Sequence, residues 1–313
     1  MTIRVPRAAL AAWAAVAVLS LAGCSNGDPA APPTDAAAGA GAAAATAPAA
    51  RGDAAARDAV PTPITVIGGP PAERRVPVVL AEYPHDPTAF TQGLLLDDGT
   101  LLESTGLEGA STVREVDLAT GNVRRVRDLS ADLFGEGLAQ VGDTLIQLTW
   151  QEGRAIVYDR ASLAPTAEHG YEGEGWGLCF DGQRLVMSDG SDRLTFRDPA
   201  TFAPLSSVTV VLDGQPRNML NELECVDGTV YANVWQSNEI VAIDPATGRV
   251  TAAIDAAGLW ERLADREPAR PIDVLNGIAY DPADGTFLVT GKWWPKLFRV
   301  RFDPAPPATP PPS

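Results

Sequence analysis

The chain has 313 residues and a formal net charge of −16, from 40 acidic and 24 basic side chains, with only two histidines and three cysteines. That balance excludes nucleic acid and anionic lipid as partners of the folded part, since both would repel it. His85 and His169 lie far apart without ligand-like spacing, so neither a histidine-based zinc site nor a Ser-His-Asp triad is supported.

Residues 1–23 carry Arg4 and Arg7, then an apolar run from Ala8 to Leu21 that is too short and too alanine-rich for a permanent membrane span. The segment reads as an export signal. Its end, Leu21-Ala22-Gly23-Cys24, resembles the lipobox of bacterial lipoproteins, in which the cysteine becomes the lipidated first residue of the mature chain. An ordinary secretory signal with a chance cysteine is the alternative. Several acyl chains on Cys24 would anchor the protein firmly where one would be marginal. The expected location is the bacterial cell envelope, facing the periplasm or the exterior, with the lipid on Cys24 as the only membrane contact.

Residues 24–75 are dominated by Ala, Pro and Gly and have few large apolar side chains. They bury too little surface to offset the entropy of ordering, and read as a disordered tether with a reach of roughly 40 Å. Residues 304–313 form a Pro-rich tail of the same character.

Between them, residues 76–303 hold alternating apolar residues, tight turns and most of the aromatics, which suits one globular domain. An internal repeat organises it. Gly93, Gly137, Gly177, Glu222 and Gly277 align as reference positions separated by 44, 40, 45 and 55 residues, each followed by an apolar strand, a turn and a second apolar run. About thirteen residues on come Gly106, Trp150, Gly190 and Trp235, and Lys292 after two extra residues. Further on, an alternating strand ends at Asp117, Asp159, Asp198, Asp244 or Asp303. Repeats of this length made of short strands predict an all-β fold, a five-bladed β-propeller. The last repeat lacks an outer strand, and Val76–Tyr83 is expected to supply it and close the ring, removing free sheet edges.

Cys179 and Cys225 lie two and three residues past their reference positions, and this opposite parity assigns them to opposite strand faces. Two buried free thiols are expected rather than a disulfide.

The residues just before the reference positions are Gln92, Glu136, Trp176, Asn221 and Asn276, which a shared register gathers at one mouth of the central channel. Trp150, Trp235 and Lys292 join them from the second strands, and Phe90 and Phe134 lie two residues before Gln92 and Glu136 on the same face. Aromatic walls with a few placed polar groups form the usual small-ligand site. Glu136 is the one carboxylate among the five mouth positions. Glu222 and Glu224 lie within a strand and read as structural.

Ten ordered segments, among them Ala89-Phe-Thr-Gln-Gly93, Phe134-Gly-Glu-Gly-Leu138, Leu220-Asn-Glu-Leu-Glu224 and Thr290-Gly-Lys-Trp-Trp-Pro-Lys296, resemble the plant-type glutamine cyclotransferases from about Tyr83 to Phe302. The resemblance implies a five-bladed propeller enzyme that turns N-terminal glutamine of peptides or proteins into pyroglutamate and releases ammonia, without metal or cofactor. It assigns Glu136 as general base and then general acid. Phe90, Gln92, Phe134, Trp150, Trp176, Asn221, Trp235 and Lys292 are the candidate substrate contacts. The closed ring and the tether suit a monomer. The alternative is a non-catalytic envelope propeller that binds a peptide or protein partner; a glycosidase would need a second opposed carboxylate that the mouth positions lack.

Overall fold

The computed structural model describes residue 63, residues 68–263 and residues 271–307, all within a compact unit that spans residues 51–313. The leader, Cys24, most of the tether and residues 308–313 lie outside the described residues.

The described chain is almost all strand. After β1 (Glu73–Pro84), four strands β2 (Thr91–Asp97), β3 (Thr100–Thr105), β4 (Thr112–Val116) and β5 (Val123–Asp128) pair in sequence order as one antiparallel sheet. The same meander recurs in β6 (Gly135–Val141), β7 (Thr144–Thr149), β8 (Arg154–Asp159) and β9 (Pro165–Gly170), and again in β10 (Leu178–Phe180), β11 (Leu185–Ser188), β12 (Arg193–Arg197) and β13 (Pro204–Thr209). A small ribbon of β14 (Val211–Leu212) and β15 (Gln215–Pro216) follows. Next come β16 (Leu220–Val226), β17 (Thr229–Val234), β18 (Glu239–Ile243) and β19 (Val250–Asp255), the short helix α1 (Gly258–Glu261), and β20 (Leu275–Asp281), β21 (Thr286–Gly291) and β22 (Lys296–Pro304).

These last strands form one eight-stranded sheet in the order β16-β17-β18-β19-β1-β22-β21-β20. Val76–Tyr83 pairs antiparallel with β22, from Val76 opposite Asp303 to Tyr83 opposite Leu297. Two boundaries differ from the sequence reading. The strand begins at Glu73, inside the segment assigned to the tether, because Glu73, Arg74 and Arg75 pair in parallel with Ala252, Ala253 and Ile254. Ala72 N also donates to Asp213 Oδ1 at 2.8 Å. At the other end Asp303 continues β22 instead of opening a turn, and Ala305 N donates to the Arg74 carbonyl at 2.8 Å.

Five hydrophobic clusters lie between consecutive strand groups. One packs Leu95, Leu102 and Val113 against Leu138, Leu145 and Ile156; the next packs Ala139, Ile146 and Val157 against Leu178, Leu185 and Met187. Val186, Leu194 and Phe196 meet Leu223, Val230 and Val241, and Ile240 and Ile254 meet Ile278, Phe287 and Phe298. A fifth cluster returns to the start, joining Ala279, Leu288 and Leu297 to Leu94, Leu101 and Val116. Each sheet thus presents apolar side chains on both faces, one to each neighbour.

That packing corrects the cysteine expectation. Cys179 on β10 and Cys225 on β16 form a disulfide with Cα atoms 5.5 Å apart. Opposite parity points two side chains apart only within one sheet. Where two sheets stack, the right face of one confronts the left face of the next, so opposite parity is what brings the two sulfurs into the same gap.

Candidate active site

The first strands of four groups carry the same irregularity. Pairing slips between Thr91 and Gly93, between Gly135 and Leu138, between Leu220 and Leu223, and between Leu275 and Ile278. A bulge of this kind leaves extra residues unpaired and re-aims their side chains. The residues inside the four bulges include Gln92, Glu136, Asn221 and Asn276. Trp176 takes the corresponding place just before β10, where its carbonyl accepts Gly137 N at 2.7 Å.

Space for the aromatic side chains is made at two of the thirteenth-residue positions. A Cβ on Gly106 would lie 2.4 Å from the Phe134 ring, and one on Gly190 would lie 2.6 Å from the Trp176 ring. The equivalent positions in the other repeats hold Trp150, Trp235 and Lys292, so glycine makes room for a ring at two of the five positions and the other three contribute large side chains of their own.

Phe90, Gln92, Phe134, Glu136, Trp150, Trp176, Asn221, Trp235 and Lys292 all line one cavity of about 470 Å³. Of the side chains that the sequence reading gathered there, all but Asn276 line it. Asn276 lies behind the lining. Its Nδ2 donates to the Thr91 carbonyl at 2.9 Å and to Gln92 Oε1 at 3.2 Å. The Gln92 amide is thereby oriented with its nitrogen toward Glu136, where Nε2 donates to Oε1 at 2.9 Å.

Glu136 is 5% exposed, and its second oxygen, Oε2, is buried with no protein partner. Burial raises the pKa of this carboxyl well above the ordinary value; Lys292 pulls it down, and Glu174 and Glu152 push it further up. Burial dominates, since charging a carboxyl away from water costs more than a through-space cation returns. Lys292 is 4% exposed, and burial lowers its pKa against the pull of Glu136 and Asp273. Its Nζ lies 4.6 Å from the centre of the Phe90 ring. The cavity thus holds a carboxyl inclined to stay protonated and an ammonium inclined to lose its proton, a combination suited to moving protons.

Glu222 and Glu224 serve the framework. Glu222 accepts Leu94 N at 3.2 Å and Ile278 N at 2.8 Å, tying β16 to β2 and β20, and Glu224 accepts Tyr280 N at 2.8 Å. Burial raises the Glu222 carboxyl well above its ordinary value and pushes Glu224 up to about 8. His85 also lies away from the cavity. Its Nδ1 donates to the Trp294 carbonyl at 2.7 Å, and its Nε2 faces Glu103 Oε1 at 3.0 Å.

Gln236, Asp273 and Val274 complete the cavity lining, and Glu174 stands behind it; none was identified from the sequence. A signal existed for two of them. Phe90 and Phe134 lie three residues before their reference glycines, and the same register holds Glu174 in the third repeat and Val274 in the fifth. Gln236 and Asp273 fall outside any shared register.

A sequence model described as glutamine cyclotransferase matches residues 47–302. The chain is 42% identical over 229 residues to a glutaminyl-peptide cyclotransferase of Arabidopsis thaliana, which covers 72% of this chain and 71% of that protein. Among solved structures it resembles the glutaminyl cyclase of Myxococcus xanthus, with 43% identity, a TM-score of 0.71, and coverage of 75% of this chain and 100% of that one. With its repeat register, its cavity and these relatives in agreement, the chain belongs to the glutamine cyclotransferase family.

Proposed function

We propose that this chain converts the N-terminal glutamine of peptides and proteins to pyroglutamate, with Glu136 as the proton carrier. The α-amine attacks the side-chain amide carbon, a C–N bond forms, and the amide C=O becomes a tetrahedral oxyanion. Glu136 Oε2 takes a proton from the attacking nitrogen and returns it to the amide nitrogen; the second C–N bond then breaks, the carbonyl re-forms, and ammonia leaves. The amine must be neutral, and a free α-amine with a pKa near 7.7 to 8.0 supplies a substantial neutral fraction at neutral pH. Lys292 and Asn221 are the candidate holders of the oxyanion and the peptide carbonyl. The aromatic walls hold the glutamine side chain folded toward its own amine, which exploits an effective molarity on the order of 10⁵ M or more.

The observation that carries this reading is the divided state of the Glu136 carboxyl. One oxygen is fixed by Gln92 and the other is buried without a partner beside the cavity. A binding module gains nothing from leaving a buried carboxyl oxygen unpaired, which costs about 1–3 kcal/mol. The test is ammonia release from a short peptide with N-terminal glutamine, with a chelator in every sample. The expected result is turnover by the wild type and a loss of a hundredfold or more in Glu136→Gln, consistent with removal of a general acid–base group. A folded wild type that releases no ammonia between pH 6 and 9 would overturn the reading.

The five strand groups and the five clusters between them support a five-bladed propeller, with β1 completing the last blade. We read residues 1–23 and Cys24 as a lipoprotein leader that places a monomer at the cell envelope. Incorporation of labelled fatty acid into the wild type but not into Cys24→Ser is the expected result, and equal labelling would reject it.

A further inference from the structure

The aromatic lining, with Trp293 packed outside it, falls into two runs. In the first, Trp293 meets Phe90 with ring centres 5.0 Å apart, Phe90 meets Phe134 at 6.1 Å, and Phe134 meets Trp150 at 5.7 Å. In the second, Trp176 meets Trp235 edge-on at 5.4 Å. Among the described residues no ring contact joins Trp150 to Trp176, although both face the same cavity. Glu174 joins them instead. Its Oε2 accepts both indole Nε1–H groups, each at 2.9 Å, and its Oε1 accepts Gln151 Nε2 at 2.9 Å.

We propose that Glu174 is a positioning residue for this reaction: by holding both indole N–H groups on one carboxylate oxygen, it sets the separation of the two aromatic runs and hence the width of the slot in which the glutamine side chain must fold. The proposal rests on the cyclotransferase reading.

Three features support it. First, the segment that carries Glu174 is braced against the strand end that carries Trp150. The Tyr171 hydroxyl donates to the Thr149 carbonyl, Thr149 N donates back to that hydroxyl at 3.2 Å, and Gly175 N donates to the Trp150 carbonyl at 2.8 Å. The staple is therefore fixed to the same scaffold as one of the walls it holds. Second, an indole N–H left free in the slot would donate to the glutamine side-chain carbonyl and favour an unproductive conformer. With these two donors consumed, Trp235 is the one tryptophan of the lining whose N–H is not held by Glu174, and the other polar contacts to substrate come from Gln92, Glu136, Asn221, Gln236, Asp273 and Lys292. Third, the Glu174 pKa is lowered, because three side-chain hydrogen bonds outweigh its burial, so it stays a carboxylate. Its fixed negative charge acts on Glu136 together with Glu152 and against Lys292.

Two variants separate position from charge. Glu174→Ala removes acceptor and charge, whereas Glu174→Gln keeps an amide oxygen able to accept both indoles and loses the charge and the acceptor of Gln151. With Glu174→Ala, kcat/KM for an N-terminal glutamine peptide is expected to fall about ten- to a hundredfold, as for a misplacement of roughly 1 Å around reacting groups. The fall should come with a shifted tryptophan emission spectrum. With Glu174→Gln, kcat/KM is expected within about threefold of wild type, since the geometry that produces the effective molarity is kept, and emission should match wild type. The ascending limb of kcat against pH should move to lower pH, because an anion that raises the Glu136 pKa has gone. Wild-type emission and kcat/KM in Glu174→Ala would overturn the proposal, and so would an equal loss of activity in the two variants. If Glu174→Ala does not fold, Glu174→Asp, which keeps the charge but draws the carboxylate back from the two indoles, should lower kcat/KM and shift the emission, and wild-type values of both in Glu174→Asp would overturn the proposal. An inactive wild type would count against the reaction itself, while the emission spectra would still judge the staple.

Discussion

Two carboxylates in this fold are buried to nearly the same extent and treated in opposite ways. Glu103 is fully buried, and both of its oxygens are engaged: Oε1 by Thr91 Oγ1 at 2.7 Å and His85 Nε2 at 3.0 Å, Oε2 by Arg114 Nε and Nη2 at 2.9 and 2.7 Å. Arg114 reaches on to Asp86 at 2.9 Å. Burial would raise the Glu103 pKa, but Arg114 and His85 reverse this and hold it far below the ordinary range. Glu136 receives one hydrogen bond, keeps one oxygen free, and is pushed the other way. Burial alone therefore does not make a carboxyl reactive; burial with an incomplete set of partners does. The saturated cluster ties the first strand group to Trp294, just before β22, and the unsaturated residue faces the cavity.

The largest expected contrast is between the two residues themselves. Glu103→Gln leaves buried His85 without its anion and Arg114 with Asp86 alone, and should cost about 3–5 kcal/mol in urea unfolding, as for other broken buried pairs. The activity of the fraction that stays folded should change little. Glu136→Gln should lose activity as described above and stay within about 1 kcal/mol of wild-type stability, since only one hydrogen bond is at stake. Comparable destabilisation by both substitutions would erase the distinction.

A second test removes a constraint from the framework and leaves the cavity intact. Replacing Cys179 and Cys225 together by serine should lower stability by about 2–4 kcal/mol, the usual range for a disulfide, with kcat for ammonia release kept at a temperature where the variant is folded. A large fall in kcat with unchanged stability would mean that the disulfide belongs to the site.

Titration gives the third. Burial pulls the His85 pKa down, but the Glu103 carboxylate and the Trp294 carbonyl outweigh it and hold the imidazole above its ordinary value. Its stabilisation is therefore complete below the ordinary histidine value and is lost as pH rises through the raised one. The depressed Glu103 acts in the opposite sense, with stabilisation complete above the ordinary glutamate value and lost as pH falls through the lowered one. The cluster should stabilise most between about 4.3 and 6.5, the ordinary values of the two groups. Melting temperatures across pH should show the alkaline decline in wild type and a weaker one in His85→Asn. Identical slopes would remove His85 from the account.

The smallest expected effect is a displacement of a pH profile. Lys292→Met removes the cation that opposes the raised pKa of Glu136. Beyond the fall in kcat that loss of a candidate oxyanion holder brings, the ascending limb of the remaining activity should move to higher pH, opposite to the shift expected for Glu174→Gln. Movement of both variants in one direction would show that charge near Glu136 does not control its proton.

Much of this was legible in the sequence because the repeat fixes a register. Once Gly93, Gly137, Gly177, Glu222 and Gly277 are aligned, Gln92, Glu136, Trp176 and Asn221 must come to one mouth, and the thirteenth-residue positions add Trp150, Trp235 and Lys292. What stayed hidden lay outside that register or depended on how sheets face one another. Glu174 breaks the aromatic pattern of its position, so residue type concealed what spacing would have shown. The disulfide required knowing that neighbouring sheets present opposite faces. The start of β1 was missed because Glu73-Arg74-Arg75 has no apolar alternation; its pairing with β19 is a backbone interaction that side-chain patterning does not report.

That pairing also bears on the order of events during synthesis. β1 emerges from the ribosome first among the described strands, yet its partners are β19 and β22, two of the last made. Through most of translation Glu73–Pro84 has no ladder to join, so it waits as an unpaired edge, the kind of segment that invites misassociation. Val78 and Leu80, both exposed in the finished fold, make one face of the waiting strand sticky, whereas Glu73, Arg74, Arg75 and Glu82 supply the charge that limits it. Completion of the eight-stranded sheet is thus a late, long-range step, and a chain released before β22 would lack the antiparallel partner of β1.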